Sequence, residues 1–212
     1  MTILKSFLDF RMLKIFLLGS ISGFPWVLIG SSLSLWLKDY DVSRSTIGWA
    51  GLIFTVYAIN YLWAPFLDKI KIPYISKKIG HRKSWIFSMQ IIIILCLLLW
   101  SFLFPKLDLK VIIFLGLIIA ISSASQDIVI DALRIEQIKK TEKNVMAAGA
   151  SITVVGWWTG YKIGGFISLS LAQYFEDIGI VNFWQYTFIC LILIMLIMNI
   201  LLCFLNESIL EK

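Results

Sequence analysis

The sequence predicts an all-α membrane protein of six transmembrane helices. Three observations predict it. The 212 residues have a mean hydropathy of +0.88, with 59% hydrophobic and 15% charged residues. A soluble domain is about 25% charged and roughly half apolar. Six stretches nearly free of charge are each long enough to cross the hydrocarbon, which takes about 20 helical residues. The Lys and Arg residues between them crowd onto one side, as cytoplasmic loops do. Helices are required because an open strand leaves its backbone unsatisfied in lipid.

The first stretch, near 15–37, follows Lys5, Arg11 and Lys14. Those residues resemble the basic region of a signal peptide. The apolar run is about twice the length of a signal core, and no small-residue cleavage site follows, so a retained helix is expected. The second stretch, near 45–67, and the third, near 84–104, carry no charge. The fourth, near 111–133, carries Asp127 and Asp131, and the fifth, near 144–175, carries Lys162. The sixth runs near 184–206. The loops leave no room for a soluble domain, so residues 1–212 read as one bundle.

Six spans put both termini on one side. That side holds Lys5, Arg11, Lys14, Lys69, Lys71, Lys77, Lys78, Arg82, Lys83, Arg134, Lys139, Lys140, Lys143 and Lys212. The other holds Lys38, Arg44, Lys106 and Lys110. Both termini are therefore expected in the cytoplasm. Trp36, Trp49, Trp63, Trp85, Trp100 and Trp184 fall near predicted helix ends, where an interfacial belt is expected. The net charge of +6 and pI near 9.2 reflect this sidedness, and a composition this apolar excludes a nucleic-acid partner despite them. Cys96, Cys190 and Cys203 lie within spans and lack metal-ligand spacing. No P-loop, zinc motif or nucleophile–base pair is present, so neither an enzyme, a cofactor nor a metal is expected.

The charges inside the spans are the candidate site. Asp127 and Asp131 are four apart and share one helix face, with Gln126 beside it. An Asp at mid-helix costs on the order of 2.5–3.5 kcal/mol on the insertion scale, and such a residue is by default a functional candidate facing a bundle interior or watery cavity. Burial disfavours the charged carboxylate, the condition for carrying a proton. Arg134, three residues beyond Asp131, offers a structural reading of Asp131 as one member of a helix-end ion pair. Lys162 lies too far in depth from Asp127 for a tight pair. Either both face one aqueous cavity, where Lys162 suits a substrate carboxylate or phosphate, or Lys162 snorkels outward past Tyr174. Trp26, Trp157 and Trp158 are mid-span and could stack on a sugar ring or pack in the core. Gly19 and Gly23 in the first stretch, and Gly156, Gly160 and Gly164 in the fifth, form small-residue faces that let helices approach closely.

The chain also resembles a known family. Asp68-Lys69 and Gly80-His81-Arg82-Lys83 are similar to the signature loop of the major facilitator superfamily, with Ala64-Pro65 in place of its first Gly and a longer Asp-to-Gly spacing. The strings 62–68 (LWAPFLD) and 124–132 (ASQDIVIDA), together with Gly160-Tyr161-Lys162-Ile163-Gly164, look like AmpG-type muropeptide permeases, which typically carry Arg in place of this Lys. Ser22-Gly23-Phe24-Pro25 and Trp36-Leu37-Lys38 fit as well. The resemblance implies one half of a superfamily fold, made of two inverted three-helix repeats. It implies proton-coupled import of N-acetylglucosaminyl-anhydro-N-acetylmuramyl peptides across the bacterial inner membrane for cell-wall recycling. Lys162 would contact a carboxylate of this acidic sugar-peptide substrate. Asp127, with Asp131 and Gln126, would serve proton or substrate, and Asp68, Arg82, Lys83 and Arg134 would form a cytoplasmic gating loop. The family has two six-helix halves with the fifth helix packed on the other half, so the glycine face of the fifth stretch is expected to want a partner outside this chain. A separate second half, a homodimer, a non-transporting remnant and a membrane interaction subunit all remain open readings.

Overall fold

The computed structural model describes residues 7–138 and 141–204. Lys5, Lys139, Lys140 and Lys212 of the basic set, and residues 205–206 of the sixth stretch, lie outside these residues. The described residues form helices joined by short turns, with no strand among them. Five helical runs are long and apolar enough to cross a membrane: Phe10–Asp39, Arg44–Leu62, His81–Trp100, Pro105–Glu136 and Phe183–Cys203. We refer to these as the first, second, third, fourth and sixth helices. The fifth helix, Lys143–Asp177, has 35 residues and is about 52 Å long at 1.5 Å per residue. Its Gly, Trp and Thr residues and Lys162 dilute its apolar content. Together these runs make an all-α membrane bundle.

The fourth run is kinked near its start, at Asp108, and the first and second depart from regular α-helix along their length. In the first, Pro25 lacks the N–H that would bond the Ile21 carbonyl, and a π-helical turn follows at Leu28–Ser32. The second alternates between α-helix and 3-10 helix, with 3-10 turns at Gly51–Phe54 and Asn60–Leu62. A further α-helical turn, Ala64–Lys69, begins with Pro65 at its N-terminus. Little of the second helix is buried within the chain, so few tertiary contacts enforce one regular geometry there.

The largest buried hydrophobic cluster lies toward the end away from the basic loops. Trp36, Trp100, Trp184 and Phe188 are all fully buried and pack ring on ring, with centroids 4.8 to 5.9 Å apart. Trp184 donates from Nε1 to Asp39 at 2.8 Å, and Trp100 donates to the Ile112 carbonyl at 3.2 Å. Three of the tryptophans expected at the interface are therefore core residues. Position near a helix end does not say which way a ring faces. Here the helix ends converge, and the indoles fill the space between them. Trp49, by contrast, is exposed.

The first and fifth helices are in close backbone contact, and their glycines are the reason. A Cβ added at Gly160 would overlap the Ser20 carbonyl, one at Gly156 the Phe16 carbonyl, and one at Gly23 the Trp157 carbonyl. At Gly164 it would come within 2.8 Å of the Phe24 ring, and at Gly19 within 2.5 Å of the Thr153 carbonyl. Ser20 donates across the same contact to the Gly156 carbonyl at 3.1 Å, and Ser32 and Ser168 hydroxyls meet at 2.8 Å further along. This corrects the expectation of an external partner for the Gly156–Gly160–Gly164 face. Its partner is the Gly19–Gly23 face of the same chain, and the short side chains permit the approach that lipid-embedded helices use for dispersion contact.

A buried polar chain crosses the bundle. Asn199 of the sixth helix donates from Nδ2 to the Met195 carbonyl at 2.9 Å and to Gln90 of the third at 3.5 Å. Gln90 donates to Gln126 Oε1 of the fourth at 2.8 Å. Gln126 donates in turn to the Ile21 carbonyl of the first at 3.0 Å. Four helices are thereby tied by groups that would each be costly to leave unpaired.

Candidate functional site

A cavity of about 540 Å³ lies between the first, fourth and fifth helices, toward the end with the basic loops. The first helix contributes Ser22 and Trp26, and the fourth contributes Asp127, Ile130, Asp131 and Arg134. Ala150, Thr153, Val154 and Trp157 of the fifth close the far wall. The glycine contact places these walls. It brings the first helix against the fifth, and Trp26 meets Trp157 edge to face, with centroids 5.3 Å apart. Trp26 also packs on Phe54 and Tyr57 of the second helix, at 5.0 and 4.4 Å.

Asp127 sits on the cavity wall and accepts a hydrogen bond from the Ser22 hydroxyl. One turn along, Asp131 is exposed and pairs with Arg134 at 3.1 Å. Asp131 therefore belongs to a helix-end ion pair and also lines the cavity. Gln126 is fully buried, turned away from the cavity into the polar chain, with its amide occupied on both sides. It is placed with the packing residues, not with Asp127.

Lys162 does not line this cavity. Its side chain is exposed, with Nζ 5.6 Å from the Trp158 ring centroid and 5.8 Å from that of Tyr161. The expectation that Lys162 and Asp127 share one cavity is therefore corrected. The physical reason is helical rotation: Trp157 lines the cavity, and a residue five further on points about 140° away. The cation lies over aromatic faces of its own helix, an arrangement worth about 0.5–1 kcal/mol at exposed sites. Trp158 and Tyr161, rather than Tyr174, are its neighbours.

The basic end carries a three-part ion cluster. Arg82, at the start of the third helix, donates to Asp68 at 2.5 Å and to Glu136 at 2.8 Å. It thereby joins the ends of the second and fourth helices, and its planar fork suits two carboxylates at once. Gly80, at φ 96° and ψ 163°, makes the turn that presents Arg82, a conformation that L side chains rarely adopt. Lys83 is placed elsewhere than in a gating loop. It is buried in the first turn of the third helix and donates to the Cys203 carbonyl at the end of the sixth, at 3.3 Å. Arg11 makes a similar tie, pairing with Glu142 at 3.0 Å and with Asp9 at 2.7 Å.

Sequence reasoning missed Ser22 and Glu136 as partners. Ser22 was visible only as part of a string, and nothing local marks a serine as facing an aspartate 105 residues away. Glu136 lies just beyond the fourth stretch, where a charge needs no explanation.

The sequence matches the Major Facilitator Superfamily over residues 15–211. The chain belongs to that superfamily. It is similar to the AmpG 4 transporter of Rickettsia felis, with 34% identity covering 98% of this chain and 48% of that protein. It is similar to the AmpG 1 transporter of Rickettsia conorii at 35% identity, covering 94% of this chain and 47% of that protein. Against the anhydromuropeptide permease of Escherichia coli K12 the identity is 32%, covering 80% of this chain and 33% of the permease. The chain spans about half the length of the Rickettsia relatives it matches. The chain is thus similar to part of several membrane transporters named as AmpG or as a permease.

Proposed function

We propose that this chain forms one six-helix half of a proton-coupled permease. With a second half, the permease takes up anhydro-muropeptides into the cytoplasm for cell-wall recycling. The observation that carries the reading is the Asp127 carboxyl, held by Ser22 on the wall of a cavity that Trp26 and Trp157 also line. A pocket of a few hundred Å³ with aromatic walls and few polar groups is the usual form of a small-molecule site. The faces of Trp26 and Trp157 suit sugar rings, and Asp127 suits a carried proton, since an intramembrane carboxylate is costly unless it is used. The relatives named as AmpG transporters and as anhydromuropeptide permease supply the substrate class. The membrane is the bacterial inner membrane, with the basic loops and both termini in the cytoplasm. Alternating access then rocks this bundle against a partner bundle around the site.

The test is uptake of labelled anhydro-muropeptide by a permease-deficient bacterium expressing this chain with the C-terminal half of a permease. Uptake that needs a proton gradient and is lost in Asp127→Asn is the expected result. Uptake equal to the parent in Asp127→Asn rejects the proton role. No uptake at all, with both halves present in the membrane, favours a non-transporting remnant or interaction subunit.

A further inference from the structure

Three polar atoms near Asp127 are buried and make no hydrogen bond of full geometry among the described residues: Trp26 Nε1, the Tyr57 hydroxyl and the Ser123 hydroxyl. Their positions are related. Trp26 is one helical turn from Ser22, and Ser123 is one turn from Asp127 on the same helix face. The first and fourth helices run antiparallel, so both turns lie on the same side of the Ser22–Asp127 bond, away from the basic loops. Tyr57 enters this level from the second helix with its ring on Trp26. Its hydroxyl is turned toward Ser123 and lies within the field of Asp127, while the Trp26 indole is turned toward the Asp127 carboxyl. Ser123 is 0% exposed.

Buried polar groups are nearly always paired, with water where the protein supplies nothing. An internal water needs two to four polar partners, and this place supplies four. The donor inventory also chooses the ligand. An indole N–H only donates, which excludes a metal cation as the occupant and requires an acceptor oxygen.

We propose that an ordered internal water, held by Trp26, Tyr57 and Ser123, is hydrogen-bonded to Asp127, and that Tyr57 and Ser123 are positioning residues for that carboxyl. The inference rests on the reading of Asp127 as the proton-carrying group. Trp26 donates to the water oxygen in both states. When Asp127 is charged, the water donates one hydrogen to the carboxylate and one to a hydroxyl. When Asp127 is protonated, its O–H donates to the water, which turns both hydrogens to Tyr57 and Ser123. Each state satisfies the same groups, so the carboxyl gains or loses its proton without stranding a buried partner. The titratable and charged groups facing Asp127 are Asp131 and Arg134 on its own helix and Tyr57 on the second. The first and fifth helices bring none to the cavity wall.

The experiment is infrared difference spectroscopy of the purified chain in lipid across a pH step, in ordinary water and in water enriched in oxygen-18. Uptake with the second half is measured in parallel. The expected result is a sharp water O–H band that shifts with oxygen-18 and is lost in Tyr57→Phe and in Ser123→Ala. Proton-driven uptake in these variants is expected to fall by about tenfold or more, while exchange of substrate at equal pH on both sides is retained. No isotope-sensitive band, or a band unchanged in both variants, overturns the proposal. If the parent does not take up substrate at all, the transport reading fails by itself, and the band still decides whether the water is held.

Discussion

Gln126 donates a hydrogen bond to the Ile21 carbonyl at 3.0 Å, the carbonyl that Pro25 leaves without a helical donor. A proline kink in a membrane helix thus has its freed acceptor satisfied by the neighbouring helix, as the absence of water in lipid requires. The same amide closes the chain through Gln90 to Asn199. Gln126→Leu is expected to destabilise the bundle by about 1–3 kcal/mol, since it strands buried groups. Pro25→Ala restores the missing N–H, so the cost of Gln126→Leu is expected to shrink in that background. Thermal unfolding of the four proteins in one detergent measures the cycle. An unchanged cost would detach Gln126 from the kink.

The glycine contact allows a paired comparison on one helix. Gly160→Ala drives a methyl into the Ser20 carbonyl, whereas Gly165→Ala meets nothing within 4 Å. Overpacking of this kind costs about 1–3 kcal/mol. Gly160→Ala is therefore expected to lower the melting temperature clearly and Gly165→Ala to leave it in place or raise it. Equal melting temperatures would mean that the two helices separate without cost.

Lys162 lies apart from the cavity, over Trp158 and Tyr161. If it meets a carboxylate of the substrate, it does so from a face that is exposed in this chain. Lys162→Ala is expected to weaken uptake of acidic muropeptides more than that of a neutral sugar analogue, whereas Lys162→Arg retains most of the preference. Competition assays over a series of analogues give the comparison, and an equal loss for both classes removes the carboxylate role.

Orientation is open to a direct chemical test. Lys77 lies in the basic loop between the second and third helices and is exposed. With the three native cysteines replaced, Lys77→Cys is expected to react with a membrane-impermeant maleimide only when the cytoplasmic face is presented. Labelling from the outside of intact cells would invert the topology.

Hydropathy and charge were enough to show an all-α membrane chain with alternating basic loops, because insertion into lipid depends on composition summed along each stretch. They also marked Asp127, since an intramembrane carboxylate is conspicuous wherever it faces. Directions and partners were not legible. Trp36, Trp100 and Trp184 sit near helix ends as an interfacial belt would, and only the convergence of those ends puts them in the core. Gly156, Gly160 and Gly164 announce a close approach without saying to what.

Composition and hydropathy along the chain established which segments are helical and apolar, which side holds the basic residues, and that a carboxylate lies within the fourth helix. These follow from local preferences and from transfer between water and lipid. Tertiary structure alone decided that the two glycine faces meet each other, that Ser22 and not Lys162 attends Asp127, and that Gln126 serves the Pro25 kink. Those pairings join residues far apart in the chain, and they depend on the rotation and depth of packed helices, which no stretch of sequence encodes alone.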